Sequence, residues 1–314
     1  LVTGGAGYVG TTLVPMLLEH GHEVVVVDNL MFMNGDRMIP YLSSDKFRFV
    51  KGDVRDAKLM KNLIQGKDVV IHLAAYVGFP LCRLKGESES YSLNTDATKL
   101  IADLMDERQY LLFGSTGSNY GEVFGTCTEE TPLNPLSIYG WTKTEAERIV
   151  MTRKNSTAFR FATAFGISPR MRLDLLVNDL TYKALTEGYA VIYESHFLRT
   201  FIHVRDMAMS FLFAIINADK MKGEVYNCGS NDLNYSKRDV CEMIKEKTGC
   251  YVHYNDFDYD KDNRDYEVSY DKLQNLGFDV SVTVEEGIDE LLSVYKVLNF
   301  VDQRYLNTGF PEIN

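Results

Sequence analysis

Glycines at positions 4, 7 and 10, in the opening stretch Leu1-Val-Thr-Gly-Gly-Ala-Gly-Tyr-Val-Gly10, constrain this chain more than any other feature. They stand between an apolar stub and a helix-like run from Thr11 to His20. A backbone that turns sharply out of a strand, comes close to a diphosphate and packs a helix tightly on a sheet has no room for a Cβ. Next, Gly21-His22-Glu23 leads into Val24-Val25-Val26-Val27 and then Asp28. A carboxylate there can accept both hydroxyls of an adenosine ribose and would repel a 2′-phosphate. Glycine turn, helix, strand and acid succeed one another within about 30 residues. The expected cofactor is therefore NAD rather than NADP.

Strand-like and helix-like runs alternate through the first half of the chain, the pattern of a parallel sheet with crossover helices. Phe47–Val50, Val69–Leu73, Tyr110–Phe113 and Ser156–Arg160 read as further strands, with helices near Ala57–Gln65, Thr95–Arg108 and Tyr139–Thr152 between them. The expected fold class is α/β: a doubly wound parallel Rossmann sheet with a smaller C-terminal substrate-binding lid domain. Residues 1–166 form the cofactor half and 167–314 the substrate half, with 200–229 returning to the sheet. After Gly166 helices are expected near Leu175–Glu187, Asp206–Asn217 and Lys237–Lys247, with a short strand at Val191–Tyr193. Leu1-Val2 is short for a central strand, so a few apolar residues are expected to precede it.

Composition removes several classes. A net charge of −11 disfavours a nucleic-acid partner, because such a surface repels a phosphate backbone. The apolar run Met207–Ile216, interrupted by Ser210, is too short to span a bilayer, and there is no signal-peptide pattern. A cytoplasmic protein without a membrane partner is expected. Cys82, Cys127, Cys228, Cys241 and Cys250 are odd in number and lack a CxxC, which reads as reduced core thiols and no metal.

Tyr139 and Lys143 are four apart at the start of a helical stretch and project from one face. A tyrosine hydroxyl titrates near about 10, and an ammonium close by favours the phenolate. Such a tyrosine can take a hydroxyl proton while hydride leaves the same carbon, and the lysine can also hold the cofactor ribose. A third hydroxyl is expected where the preceding strand ends, and Ser115, Thr116 and Ser118 are offered there.

The ordered set TGGAGYVG, VVVVDNL, KGDVRD, HLAA, Asn94-Thr-Asp-Ala-Thr98, STGSNYG, YGWTK and TFIHVRD resembles the extended short-chain dehydrogenase/reductase family, in its nucleotide-sugar epimerase and dehydratase group. The resemblance runs from Leu1 to about Phe278. It implies that Thr116 orients the substrate beside Tyr139 and Lys143. It also implies that Gly4, Gly7, Tyr8, Val9 and Gly10 line the diphosphate site, and that Asp28, Asn29 and Leu30 meet the adenosine ribose. Asp53 and Val54 would meet the adenine, and Leu73, Ala74, Ala75 and Asn94 the middle of the cofactor. Val77, Asn178, Arg199 and Arg264 would hold a nucleotide sugar, with Arg170 and Arg172 flanking the same segment. A homodimer is implied too, near the apolar stripe Leu100, Ile101, Leu104 and Met105, which could equally face its own sheet. Several residues have plainer readings: Asp53 as a turn cap, Asn94 and Asp206 as helix N-caps, His203 as a packed core histidine.

The family resembled here divides by the fate of the sugar once its C4 is oxidised. A 4,6-dehydratase normally carries an Asp-Glu pair after the orienting threonine, and here those positions are Gly117 and Ser118, which cannot serve as general acid and base. Thr163 stands where the family commonly has asparagine. The segments Tyr76-Val-Gly-Phe-Pro-Leu-Cys82, GSTGSNYG and PRMRLDLLVNDL resemble GDP-heptose 4-dehydrogenases of bacterial surface-polysaccharide pathways. A 4-dehydrogenase with a keto-acid oxidant is expected. A 4-epimerase that recycles NAD stays open, and dehydration or a non-catalytic NAD-binding role is less favoured. Asp256, Asp258, Asp260 and Glu267 have the spacing of a calcium loop, but Lys261 stands where its turn needs glycine, so an acidic loop is expected.

Overall fold

Local signals set the helix ends. Asp56 accepts from the Leu59 amide and Ser137 from the Gly140 amide, and Ser236 with Asp239 and Thr283 with Glu286 form capping boxes. The computed structural model describes residues 1–123, 125–255, 267–298, 300 and 303–308. In chain order the strands are β1 (Val2–Thr3), β2 (Val24–Asp28), β3 (Phe47–Lys51), β4 (Val69–His72), β5 (Tyr110–Thr116), β6 (Thr126–Cys127) and β7 (Ser156–Phe161). They continue as β8 (Thr163–Phe165), β9 (Tyr189–Tyr193), β10 (Leu198–His203), β11 (Glu224–Cys228), β12 (Asn234–Ser236), β13 (Tyr251–Asn255) and β14 (Glu267–Val268). The helices are α1 (Gly10–Glu19), α2 (Ala57–Ile64), α3 (Phe79–Lys85), α4 (Glu87–Tyr91), α5 (Ala97–Leu104) and α6 (Ile138–Val150). They continue as α7 (Leu176–Thr186), α8 (Val204–Ile216), α9 (Ala218–Met221), α10 (Lys237–Thr248), α11 (Asp271–Gln274) and α12 (Val284–Tyr295).

Seven strands form one parallel sheet in the order β11-β7-β5-β4-β1-β2-β3. A parallel sheet is covered on both faces, and β5 has side chains for each. Tyr110 and Leu112 pack with Leu13 and Phe211, from α1 and α8. Leu111 and Phe113 pack with Met60, Ile101 and Val150, from α2, α5 and α6. The chain is thus doubly wound, and β11 closes one edge by pairing with β7 from Glu224↔Thr157 to Cys228↔Phe161. A third cluster joins Phe165, Val177, Phe201, Ile244 and Ile288 around α7, α10 and α12.

Several local expectations give way to tertiary contacts. Asn94 does not cap a helix: α4 runs on into α5 through a π-helical turn, Ser92–Asp96. Its amide instead accepts from Tyr76 N at 2.7 Å and donates to Tyr76 O and Thr142 Oγ1, both at 3.0 Å. Asp206 is not the cap of α8 either. His203 takes that place through Nδ1, while the Asp206 carboxylate accepts from Ser281 N, Ser281 Oγ and Val282 N. His203 is fully buried against Phe165. Within the expected dimer stripe, Ile101 and Met105 are buried under the chain's own sheet and Leu104 packs beside them. All five cysteines are buried and free. Among the described residues no helix is long and apolar enough to cross a membrane, and no cluster of metal-ligating side chains occurs. The expected acidic loop lies, apart from Glu267, outside the described residues.

Candidate active site

The order of the sheet places the cavity. Winding reverses beside β1, between β4 and β2, and a crevice opens there at the carboxyl ends of the strands. Gly4 leaves β1 with φ +67°, and a Cβ on it would lie 2.7 Å from Ala74 N in the turn after β4. At Gly10 a Cβ would meet Gly5 Cα at 2.5 Å, so α1 starts in backbone contact with the turn. Gly4→Ala is therefore expected to cost about 1–3 kcal/mol of stability and to abolish NAD binding, read by thermal unfolding and calorimetric titration.

A buried polar ladder holds that junction. Thr98 Oγ1 donates to Asn94 O at 2.6 Å, so His72 Nε2 donates to Thr98 Oγ1 at 3.0 Å and Nδ1 accepts from Thr3 Oγ1 at 2.7 Å. Burial, with the charge of Lys143 second, pushes His72 down to about 3, which keeps this neutral tautomer. Thr3 Oγ1 in turn accepts from the amides of Leu73 and Ala74, which line the cavity.

At the adenosine end, Asp28 Oδ1 accepts from Leu30 N at 2.8 Å and Oδ2 from Ala6 N at 3.1 Å. Burial holds this carboxyl above its usual range although both amides and Arg170 favour the charge. Leu30, at φ +59°, makes the tight turn but does not line the cavity; Met31, Phe32 and Asn34 beyond it do. Asp53 is both wall and turn cap. It accepts from Arg55 N, Nε and a terminal nitrogen, and that guanidinium holds its carboxyl below the usual range.

At the opposite end β5 delivers Thr116, and α6, capped by Ser137, delivers Tyr139 and Lys143 one turn apart. Thr116 Oγ1 accepts from Ser118 N at 3.1 Å. The Lys143 ammonium lies 3.9 Å over the Phe113 ring in a buried position. Burial brings it down to about 7, against the charge of Glu147. Glu147, one turn further, accepts from Arg160 at 2.7 Å, Ser115 Oγ at 2.6 Å and Asn119 Nδ2 at 3.0 Å, which ties α6 to β5 and β7.

The cavity unites Gly4, Gly7, Tyr8, Val9, Gly10, Asp28, Asn29, Asp53, Val54, Leu73, Ala74, Ala75, Val77, Thr116, Tyr139 and Lys143. Asn94, Asn178 and Arg199 do not line it. Asn178 is fully buried, accepts from Gly166 N at 2.9 Å and donates to Arg172 O at 2.9 Å, so its amide holds the backbone before α7. Arg199 is buried in β10, donating to Leu198 O. Arg264 lies outside the described residues. The structure instead brings in Arg170, Arg172, Leu175, Met207 and Asn307. Of these, Arg170, Arg172 and Leu175 lie in PRMRLDLLVNDL, a segment already singled out by its resemblance, and Met207 and Asn307 carried no sequence signal.

The residues present fit NAD. A Cβ-free turn would leave room for the diphosphate, Asp28 would retain acceptor capacity for ribose hydroxyls, and Lys143 and Tyr139 stand at the far end. Fold and cavity together define an NAD-dependent enzyme of extended short-chain dehydrogenase/reductase type. The chain belongs to the NAD-dependent epimerase/dehydratase family, whose model matches residues 1–229. It is similar to the low-salt glycan biosynthesis protein Agl12 of Haloferax volcanii (strain DS2), 29% identical over 94% of this chain and 97% of that one. It is also similar to a UDP-glucose 4-epimerase of Corynebacterium glutamicum, 30% identical over 79% of this chain and 80% of that one. A solved UDP-glucuronic acid 4-epimerase from Bacillus cereus, in complex with UDP-glucuronic acid and NAD, shares the fold with TM-score 0.83. It is 23% identical, and the match covers 94% of this chain and 98% of that one.

Proposed function

We propose that this enzyme oxidises C4 of a nucleotide-activated sugar, and that the 4-keto sugar is its product: a sugar-nucleotide 4-dehydrogenase. The observation that carries this is the convergence of Thr116, Tyr139 and Lys143 at one end of the NAD cavity, where the next residues are Gly117 and Ser118. Thr116 positions the C4 hydroxyl, Tyr139 takes its proton, and Lys143 stabilises the negative charge that develops on the tyrosine oxygen. NAD, when bound, supplies the hydride acceptor. The sugar loses two hydrogens in all and becomes a ketone. Gly117 and Ser118, directly after Thr116, supply no carboxylate to remove water across C5 and C6, which argues against dehydration of the ketone.

Further support comes from the segments that resemble the GDP-heptose 4-dehydrogenase branch. Val77 and Gly78 of one, and Arg170, Arg172 and Leu175 of the other, form wall of the same cavity. In this reading a keto acid reoxidises the enzyme, gaining the two hydrogens as a hydroxy acid. A second reading, 4-epimerisation, has a specific basis: several relatives of this chain are UDP-glucose 4-epimerases. In that case the ketone turns over in the cavity and is reduced on its other face.

Purified enzyme incubated with GDP- and UDP-sugars, with and without a keto acid, separates these by product mass. Loss of two hydrogens that depends on the keto acid is the expected result. An unchanged mass with inverted C4 establishes the epimerase, and loss of water overturns the reading of Gly117-Ser118.

A further inference from the structure

The segment between β8 and α7 does more than connect them. Tyr8 Oη donates to Gly166 O at 2.7 Å, and Ser168 Oγ donates back to Tyr8 O at 2.7 Å. Ser168 Oγ and Thr11 Oγ1 are 2.8 Å apart, and Arg170 N donates to Thr11 Oγ1 at 3.4 Å. The glycine turn that receives the diphosphate is thus strapped to a segment distant in sequence, through contacts that are all buried.

Arg170 lies on this strap and is 2% exposed. Its guanidinium sits 4.2 Å over the Phe32 ring and reaches Leu306 O at 3.4 Å, while Nε has no hydrogen-bond partner among the described residues. A buried cation calls for an anion. The carboxylates nearby are already engaged: Asp174 with Arg172, and Asp28 with the amides of Ala6 and Leu30. Burial, then the charge of Arg172, brings Arg170 down to about 9, the direction expected of a guanidinium short of a counter-ion. The two arginines also differ in place. Arg172 is answered by Asp174 and is felt by Tyr139, at the reacting end, whereas Arg170 interacts with Asp28 and Phe32, at the adenosine end.

We propose that the strap from Gly166 to Arg172 is a retention latch for the cofactor, with Arg170, which lines the same cavity as the glycine turn, as the cation that meets the NAD diphosphate and ribose. The latch governs release. It keeps the dinucleotide in place through successive turnovers and does not depend on which sugar is oxidised.

The test uses the full-length holoenzyme. Bound NAD is chased with excess etheno-NAD and its release is timed in wild type, Arg170→Met, Arg170→Lys and Ser168→Ala. Thermal midpoints are recorded with and without added NAD. Arg170→Met is expected to release NAD about 10- to 100-fold faster, the range of one lost charge-assisted contact, with Arg170→Lys intermediate. Ser168→Ala loosens the strap and is also expected to release faster. Without NAD the Arg170→Met midpoint is expected to equal or exceed that of wild type, because an unanswered buried charge has been removed. Three results overturn the proposal: release at the wild-type rate, an equal fall in midpoint with and without NAD, or an effect confined to the KM for the nucleotide sugar.

Discussion

Replacing Tyr139 by phenylalanine is expected to lower kcat by about 10²- to 10⁴-fold, the usual worth of a positioned proton acceptor, while leaving NAD bound. The substitution removes one oxygen and keeps the ring, so the start of α6, held by the Ser137 cap and by Thr142 Oγ1 donating to Tyr139 O at 3.0 Å, is undisturbed. Cofactor binding is expected to rest on the glycine turn and Asp28, which line the other end of the cavity. The loss therefore belongs in kcat, with KM for the nucleotide sugar changed only a few-fold. Steady-state kinetics together with the NAD content of the purified variant measure both. Turnover within tenfold of wild type would remove Tyr139 from the proton-transfer step, and loss of NAD would make its role structural.

Features that chemistry ties to local spacing could be read from the sequence. The glycine turn, the acid that ends β2 and the Tyr139/Lys143 pair each need fixed short separations in the chain, and each lies in the cavity. Strand cores were also readable because a parallel sheet demands apolar runs. Strand ends were not: β5 continues through Gly114, Ser115 and Thr116, which carry no apolar signal, because β7 supplies partners as far as Phe161. Asn94 and Asp206 mislead for a related reason. Their types favour helix caps, but the Tyr76 backbone and the Ser281-Val282 backbone compete for them from distant segments. Arg170 offered its charge and its place in PRMRLDLLVNDL, neither of which says what it meets. Its place beside Phe32 results from the Tyr8, Thr11 and Ser168 contacts, which bridge segments no short-range pattern connects.

Lys143→Met is expected to abolish turnover, by about 10²-fold or more, and yet to stabilise the NAD-free protein at neutral pH. The ammonium is buried, and burial outweighs the favourable charge of Glu147 to bring it down to about 7. In the unfolded chain it titrates near about 10.4. Between those values the unfolded state holds a proton that the folded state lacks, so stability falls as pH drops through the window and is lowest at and below about 7. Methionine has a similar unbranched reach and no charge to bury. The variant should exceed wild type by roughly 2–4 kcal/mol near pH 7, with the difference closing as pH approaches 10. Urea unfolding of both proteins from pH 6 to 10 reads this directly. A variant less stable than wild type throughout would mean that the contact with Phe113 and the field of Glu147 outweigh burial. A stability gain joined to a loss of turnover identifies Lys143 as a residue held at a cost to the fold for what it does at the reacting carbon.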